Sequence, residues 1–180
     1  MDNYFALFSL YKIGKYKFLA IPKNCSTTLL EMAEKHIVNI TNNYDKNTIG
    51  IIRDPIDRWI AGQTHMMYRH ENQNQFYERF ENLDILGDEH VHPQIDFLGN
   101  KDMQMYRMIG SDFLQNLFDK LGIIKTVRSR NVTTCKEKIK LKNIITNIVN
   151  SNSKLKEKLI DYYKKDYDIY NFASTVNKIS

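Results

Sequence analysis

Two short segments of this chain put cationic and hydroxyl side chains where an apolar run passes into a helical pattern. The first is Phe18-Leu-Ala-Ile-Pro-Lys23-Asn-Cys-Ser-Thr-Thr28-Leu. A buried strand feeding a short polar loop and a helix N-terminus gathers unpaired backbone N–H groups and the positive end of a dipole at one point, which suits an anion. Lys23 adds a full charge, and Thr27 and Thr28 add hydroxyl donors. The loop lacks the Gly-x-x-x-x-Gly-Lys-Ser/Thr spacing of a Walker A motif. Taken alone, the segment fits equally well as plain structure, with its Ser and Thr residues as caps and Lys23 solvated. The second segment, Ile49-Gly-Ile-Ile-Arg53-Asp54-Pro55-Ile-Asp57-Arg58-Trp59, sets Arg53 at the carboxyl end of a β-branched run. Open α/β sheets bind ligands at that edge, and a guanidinium there matches a phosphate. Ion pairs between Arg53 and Asp57, or between Asp54 and Arg58, are the structural alternative, since i, i+4 partners meet on a helix.

The elements that position these residues follow from the pattern. Tyr4 to Tyr11 and Tyr16 to Ile21 read as two strands about a turn at Gly14, with Pro22 ending the second. Ser26, Thr27 and Thr28 then cap a helix with Glu31 in its first turn. Thr48 to Ile52 reads as a buried strand, and Asp54-Pro55 starts a helix carrying Ile56, Trp59 and Ile60. Beyond residue 70 the pattern is helical. Phe113, Leu114, Leu117, Phe118 and Leu121 define a helix over 111–121 that Gly122 stops, Ile139 to Val149 define another, and Leu155 to Tyr163 a third. Strands in front, each passing into a helix, predict an α/β layer with a small parallel sheet flanked by helices and a helix-rich C-terminal half.

The bulk figures exclude several classes. The 180 residues form one predicted domain without repeat or linker. With 26 Lys+Arg against 21 Asp+Glu, the net charge of +5 is too mild for a nucleic-acid footprint. Cys25 and Cys135 make neither a disulfide framework nor a zinc site, so a reducing compartment is expected and no metal. No signal peptide and no run of about 18 apolar residues is seen, which points to a soluble, cytoplasmic chain. The nine lysines between Lys136 and Lys165 read as a solvated face.

Together the two junctions resemble the nucleotide-binding motifs of sulfotransferases that use 3′-phosphoadenosine 5′-phosphosulfate (PAPS), closest to the Golgi-type carbohydrate sulfotransferases. Ile21-Pro-Lys-Asn-Cys-Ser-Thr-Thr-Leu is similar to the 5′-phosphosulfate loop, and Ile52-Arg-Asp-Pro-Ile-Asp-Arg-Trp to the 3′-phosphate motif. Asp88-Glu-His90-Val-His92-Pro93-Gln94 resembles the family's His-x-x-Pro-Gln segment. Arg130-Asn131-Val-Thr133 resembles its late Asn-x-Ser/Thr element, and Tyr163-Lys-Lys-Asp166-Tyr167-Asp-Ile-Tyr170 its C-terminal signature.

The resemblance implies a P-loop-like fold and in-line transfer of a sulfuryl group to a hydroxyl of a glycan or another small acceptor. It implies Lys23 at the bridging oxygen of the leaving phosphate, Asn24, Cys25, Ser26, Thr27 and Thr28 around the 5′-phosphate, and Arg53 on the 3′-phosphate. Arg130 and Asn131 would close over the nucleotide. A general base must come from His36, His65, His70, His90 or His92, and His90 is favoured because it falls in the matching segment and in an acidic run. Pro93 and Gln94 would fix that loop. Where the family uses a serine on the 3′-phosphate this chain has Ala61, so that contact is either lost or passed to Gln63, Thr64 or Arg58. The loop is also poorer in glycine than the family's, and Cys25 reads as a small packing residue, the alternative being a thiol that ionises more readily beside an anion pocket. Short and without an anchor, the chain reads as a minimal viral or bacterial version. A P-loop-like nucleotide kinase and a non-catalytic nucleotide-binding domain are the alternatives.

Overall fold

The computed structural model describes residues 9–38, 45–70, 73–98, 103–127 and 135–176. The predicted front hairpin is there, with residues 4–8 of its expected first strand outside the described residues and the strand running on to Ile13. β1 (Ser9–Ile13) and β2 (Tyr16–Leu19) pair antiparallel, and Gly14 turns the chain at φ +59°, a left-handed conformation that glycine adopts without a side-chain clash. From β2 the chain enters α1 (Ser26–Met32) and then β3 (Lys35–Val38), which lies antiparallel on the far side of β1. β4 (Thr48–Ile52) is buried along its whole length and runs parallel to β2. Asp54 and Pro55 open α2 (Pro55–Arg69), the Asp54 carboxylate accepting the amide of Asp57 at 2.9 Å.

The later half is less uniformly helical than its sequence suggests. After α3 (Asn74–Glu81) and a 3-10 turn (Gln94–Phe97), β5 (Gln104–Arg107) pairs parallel with β4, and β6 (Ser174–Thr175) pairs parallel with β5. The small parallel sheet is therefore the inner part of a mixed, six-stranded one, ordered β3-β1-β2-β4-β5-β6. α4 (Phe113–Lys120), α5 (Lys136–Ser151), α6 (Ser153–Tyr162) and α7 (Lys164–Phe172) complete seven α-helices among the described residues. Asn152 separates α5 from α6 and caps the latter by accepting the Leu155 amide at 3.0 Å.

Strand alternation divides the apolar side chains. Tyr11, Phe18, Ile49 and Ile51 face α1 and α4, where Phe18 and Phe118 meet as a tilted ring pair 5.6 Å apart. Such a pair contributes about 0.5–1.5 kcal/mol beyond its buried area. Leu10, Leu19, Ile21 and Ile52 face the other way, towards Phe97 and Ala173. A third cluster is helical: Trp59, Ile60 and Met67 of α2 pack against Leu141, Ile145 and Val149 of α5 and Leu155 and Leu159 of α6. It holds α5 against the helix that starts at the second junction. No helix among the described residues is long and apolar enough to cross a membrane.

Candidate functional site

β2 and β4 are parallel neighbours, so their carboxyl ends deliver the loops before α1 and α2 to the same edge of the sheet. The loops touch: Arg53 Nη1 donates to the carbonyl of Lys23 at 3.3 Å. Above them opens a cleft of about 840 Å³. Lys23, Cys25, Ser26 and Thr27 line it from the first loop and Arg53 from the second. Ala61, Thr64 and His65 line it from α2, His90 from the loop after α3, and Lys138, Ile139, Lys142 and Asn143 from α5.

The first loop gets its shape from two left-handed residues, Lys23 at φ 67° and Cys25 at φ 63°, a conformation uncommon outside glycine. Cys25, rather than one of the hydroxyl residues expected as a cap, occupies the N-cap of α1, and no side chain closes that end. Glu31 falls near the C-terminal end of this seven-residue helix, not in its first turn. Burial pushes the Cys25 thiol up to about 11, against the smaller pull of Arg53, and Sγ sits 3.8 Å from Met108 Sδ. Cys25 thus packs against the core, as read from the sequence, and the alternative of ready ionisation is overridden by desolvation. Desolvation also brings Lys23 down to about 8, helped by Lys138, Arg69 and Arg53 and opposed by Asp88.

Asn24 and Thr28 are buried and do not line the cleft. The Asn24 amide donates back to Ile21 O at 3.1 Å, and its Nδ2 donates to Ile51 O at 2.7 Å and to Gln94 Oε1 at 2.6 Å. Gln94 in turn accepts from Arg53 N at 3.0 Å and donates to Arg53 O at 2.8 Å, while its own amide donates to Asp166 Oδ2 at 2.6 Å. Asp166 also takes the Ile95 amide at 2.9 Å. Burial raises the Asp166 carboxyl, a rise that these two amides offset only in part.

Arg58 is fully buried, and among the described residues neither the Asp54–Arg58 nor the Arg53–Asp57 ion pair forms. Its guanidinium donates to the carbonyls of Pro22 at 2.9 Å, Glu89 at 3.3 Å and His92. Tyr163, also buried, donates its hydroxyl to Val91 O. The first loop and the histidine loop are thus fastened to α2 and to the junction of α6 and α7 by donors that never reach the cleft. Thr64 Oγ1 donates to Ile60 O at 2.7 Å, and Gln63 is fully buried outside the cleft lining. None of the three residues expected to cover for Ala61 therefore presents a free donor at that wall.

Of the five histidines, the cleft receives His65 and His90, whose rings lie 4.7 Å apart. His90 Nδ1 is 2.9 Å from Asp88 Oδ1, which also accepts the His90 amide at 2.9 Å. Asp88, Glu89 and His90 bring their ligand atoms within 4.8 Å of one another, an arrangement accounted for by these contacts. His65 is lowered to about 4, first by desolvation and then by Lys23 and His90, so it is neutral at pH 7. His36 lies against Tyr11 on β3, and His70 ends α2. His92 gives its carbonyl to Arg58.

Two contributions escaped sequence reading. A Cβ at Gly62 would lie 2.8 Å from His90 O and 2.7 Å from Val91 Cγ1, so the missing side chain is what lets the histidine loop close on α2. The bare pattern of α2 gave no sign of this, because the partner is 28 residues away in sequence. Lys138 and Lys142 belong to the face read as solvated, and Lys142 is exposed, but both also line the cleft. Arg130, Asn131 and Thr133 lie outside the described residues.

Comparison with protein-family models, with curated proteins and with solved structures finds no match to this chain.

Proposed function

We propose that this chain has a P-loop-like, sulfotransferase-type fold, binds PAPS and transfers its sulfuryl group to a hydroxyl of a glycan or another acceptor. The observation that supports this best is the convergence of Lys23 and Arg53, from successive strand-to-helix loops, on one cleft that also holds His90. The lining suits a doubly phosphorylated nucleotide. It offers cations and the hydroxyl residues Ser26 and Thr27, and among the described residues no carboxylate. When bound, PAPS supplies an activated sulfuryl group. The acceptor oxygen forms the new S–O bond as the bridging S–O bond breaks, and adenosine 3′,5′-bisphosphate leaves.

In this reading Lys23 holds its ammonium at the leaving phosphate, where charge develops. Arg53 is held in place from both sides of its peptide by Gln94 and orients the 3′-phosphate. His90 hands Nδ1–H to Asp88, which leaves Nε2 as the nitrogen that takes the acceptor's proton. A binding-only domain is the second reading. It rests on Ala61, which lines the cleft without a hydroxyl.

Thermal unfolding with adenosine 3′,5′-bisphosphate, AMP, or ATP with magnesium tests the reading. Selective stabilisation by the bisphosphate is expected, about 2.7 kcal/mol at a hundredfold excess over Kd. Preference for ATP with magnesium would indicate a kinase, and indifference to all three would overturn both. Bisphosphate binding without any sulfuryl transfer would leave the binding-only reading.

A further inference from the structure

Resting on the transfer reading above, we infer that His65 is a further catalytic residue, one that donates its Nδ1–H to the non-bridging oxygens of the sulfuryl group while His90 takes the acceptor's proton. His65 lies on α2 one turn after Ala61, and both line the cleft. Side chains on a helix lean towards its N-terminus, so the imidazole reaches back over a bare methyl towards the junction that carries Arg53. Its ring meets that of His90 with 4.7 Å between centroids and a tilt of 33°. The contact at the other nitrogen sets the tautomer. Arg69 Nη1 lies 3.4 Å from His65 Nε2, and a guanidinium only donates, so Nε2 keeps its lone pair and the ring proton sits on Nδ1. Among the described residues that Nδ1–H has no acceptor.

The neighbours of His65 put this donor beside the reacting centre. After burial, the groups that act most strongly on the ring are Lys23 and His90, the residues assigned above to the leaving and the attacking oxygen. Sulfur lies between those two oxygens, so a residue adjoining both flanks the sulfuryl group. Arg69 from α2 and Lys138 from α5 complete the charged surroundings of the ring, while Asp88 bonds to His90. Burial and these cations keep the His65 imidazole neutral at pH 7, which divides the work between the two histidines. His90, backed by a carboxylate, accepts a proton, and His65, surrounded by cations, only donates a hydrogen bond. In the step itself the new S–O bond forms to the acceptor oxygen and the bridging S–O electron pair leaves with the phosphate. The acceptor's proton passes to His90 Nε2, and His65 Nδ1 keeps its own proton throughout.

PAPS and adenosine 3′,5′-bisphosphate differ by the sulfuryl group alone, so calorimetric titration of each, without acceptor, isolates this contact. In His65→Leu the Kd for PAPS should rise about tenfold or more, while that for the bisphosphate changes by no more than about threefold. His65→Asn returns an N–H near the position of Nδ1 and should recover most of the difference. Equal losses for the two nucleotides, or an unchanged PAPS affinity, in a variant that keeps the wild-type unfolding temperature overturn the role. Imidazole nitrogen NMR of the wild type gives a second readout that no unfolded variant can spoil. His65 should appear at pH 7 as the neutral Nδ1–H tautomer, and an Nε2–H form or an imidazolium would overturn the role. A wild type that binds neither nucleotide sinks the transfer reading and this role with it. One that binds both, with His65→Leu indifferent to the sulfuryl group, sinks the role alone.

Discussion

The wall of the cleft and the layer directly behind it are built from the same short segments with opposite chemistry. In each segment one residue faces the cleft and a near neighbour turns inward: Lys23 against Asn24, Arg53 against Arg58, His90 against Gln94. The cleft side gathers Lys23 and Arg53, which make no salt bridge to a carboxylate among the described residues, although Asp88 lies near enough to act on Lys23. The inner side is polar, buried and densely bonded, with Asn24, Gln94 and Asp166 linked in series and Arg58 and Tyr163 holding loop carbonyls. Charge placed without a partner is costly to hold, and here the inner layer fixes the loops that hold it. Each segment is thus half cleft wall and half fastening, and the two halves should respond differently to mutation.

The largest expected effect is on the fastening. Arg58→Ala removes three carbonyl contacts at once and should cost about 3–5 kcal/mol of stability, read from urea unfolding. A loss below about 1 kcal/mol would show that the inner layer does not hold the loops. Lys23→Ala should do the reverse. Transfer should fall about a hundredfold or more while stability changes by no more than about 1 kcal/mol. Equal damage to both properties would erase the distinction between the layers.

Gly62→Ala lies between these cases. The added methyl forces the histidine loop outward at a cost of about 1–3 kcal/mol. Turnover should drop more than bisphosphate affinity, because His90 moves while Lys23 and Arg53 stay. If His90→Ala leaves turnover unchanged, that histidine is not the base.

The smallest effect is in pH. Lys23 titrates near 8 in the folded chain against an ordinary value of 10.5, so it is charged below about 8 and neutral above. Bisphosphate affinity should therefore weaken as pH rises from 7 to 9, and Lys23→Met should flatten that slope. The stability linkage has the opposite sign. Between about 8 and 10.5 the unfolded chain binds more protons at this residue, so the folding penalty of burying its charge is relieved as pH rises through that window. His65, lowered to about 4, should not contribute above pH 6.

Much of this was legible in the residues. The β-branched residues of Thr48–Ile52, interrupted only by Gly50, the Asp54-Pro55 start and the Gly14 turn identified β4, α2 and the hairpin, because each is decided by local conformational preference. β5 was not legible. Gln104–Arg107 is four residues of mixed polarity that become a strand only because β4 lies beside them. Helical periodicity on α5 likewise marked Leu141, Ile145 and Val149 as buried, but not which way the neighbouring lysines would look.

The sequence by itself determined the local elements and the candidates: two strand-to-helix loops, their lysine and arginine, and the histidines. Only the tertiary structure decided which candidates meet. It brought His65 and His90 together and left His36, His70 and His92 elsewhere, turned Asn24 and Arg58 inward, and brought Lys138 and Lys142 to the cleft. Residue type and spacing fix what a side chain is able to do and roughly which face of its element it occupies. What it faces depends on partners tens of residues away, and those are chosen by the packing of the whole core.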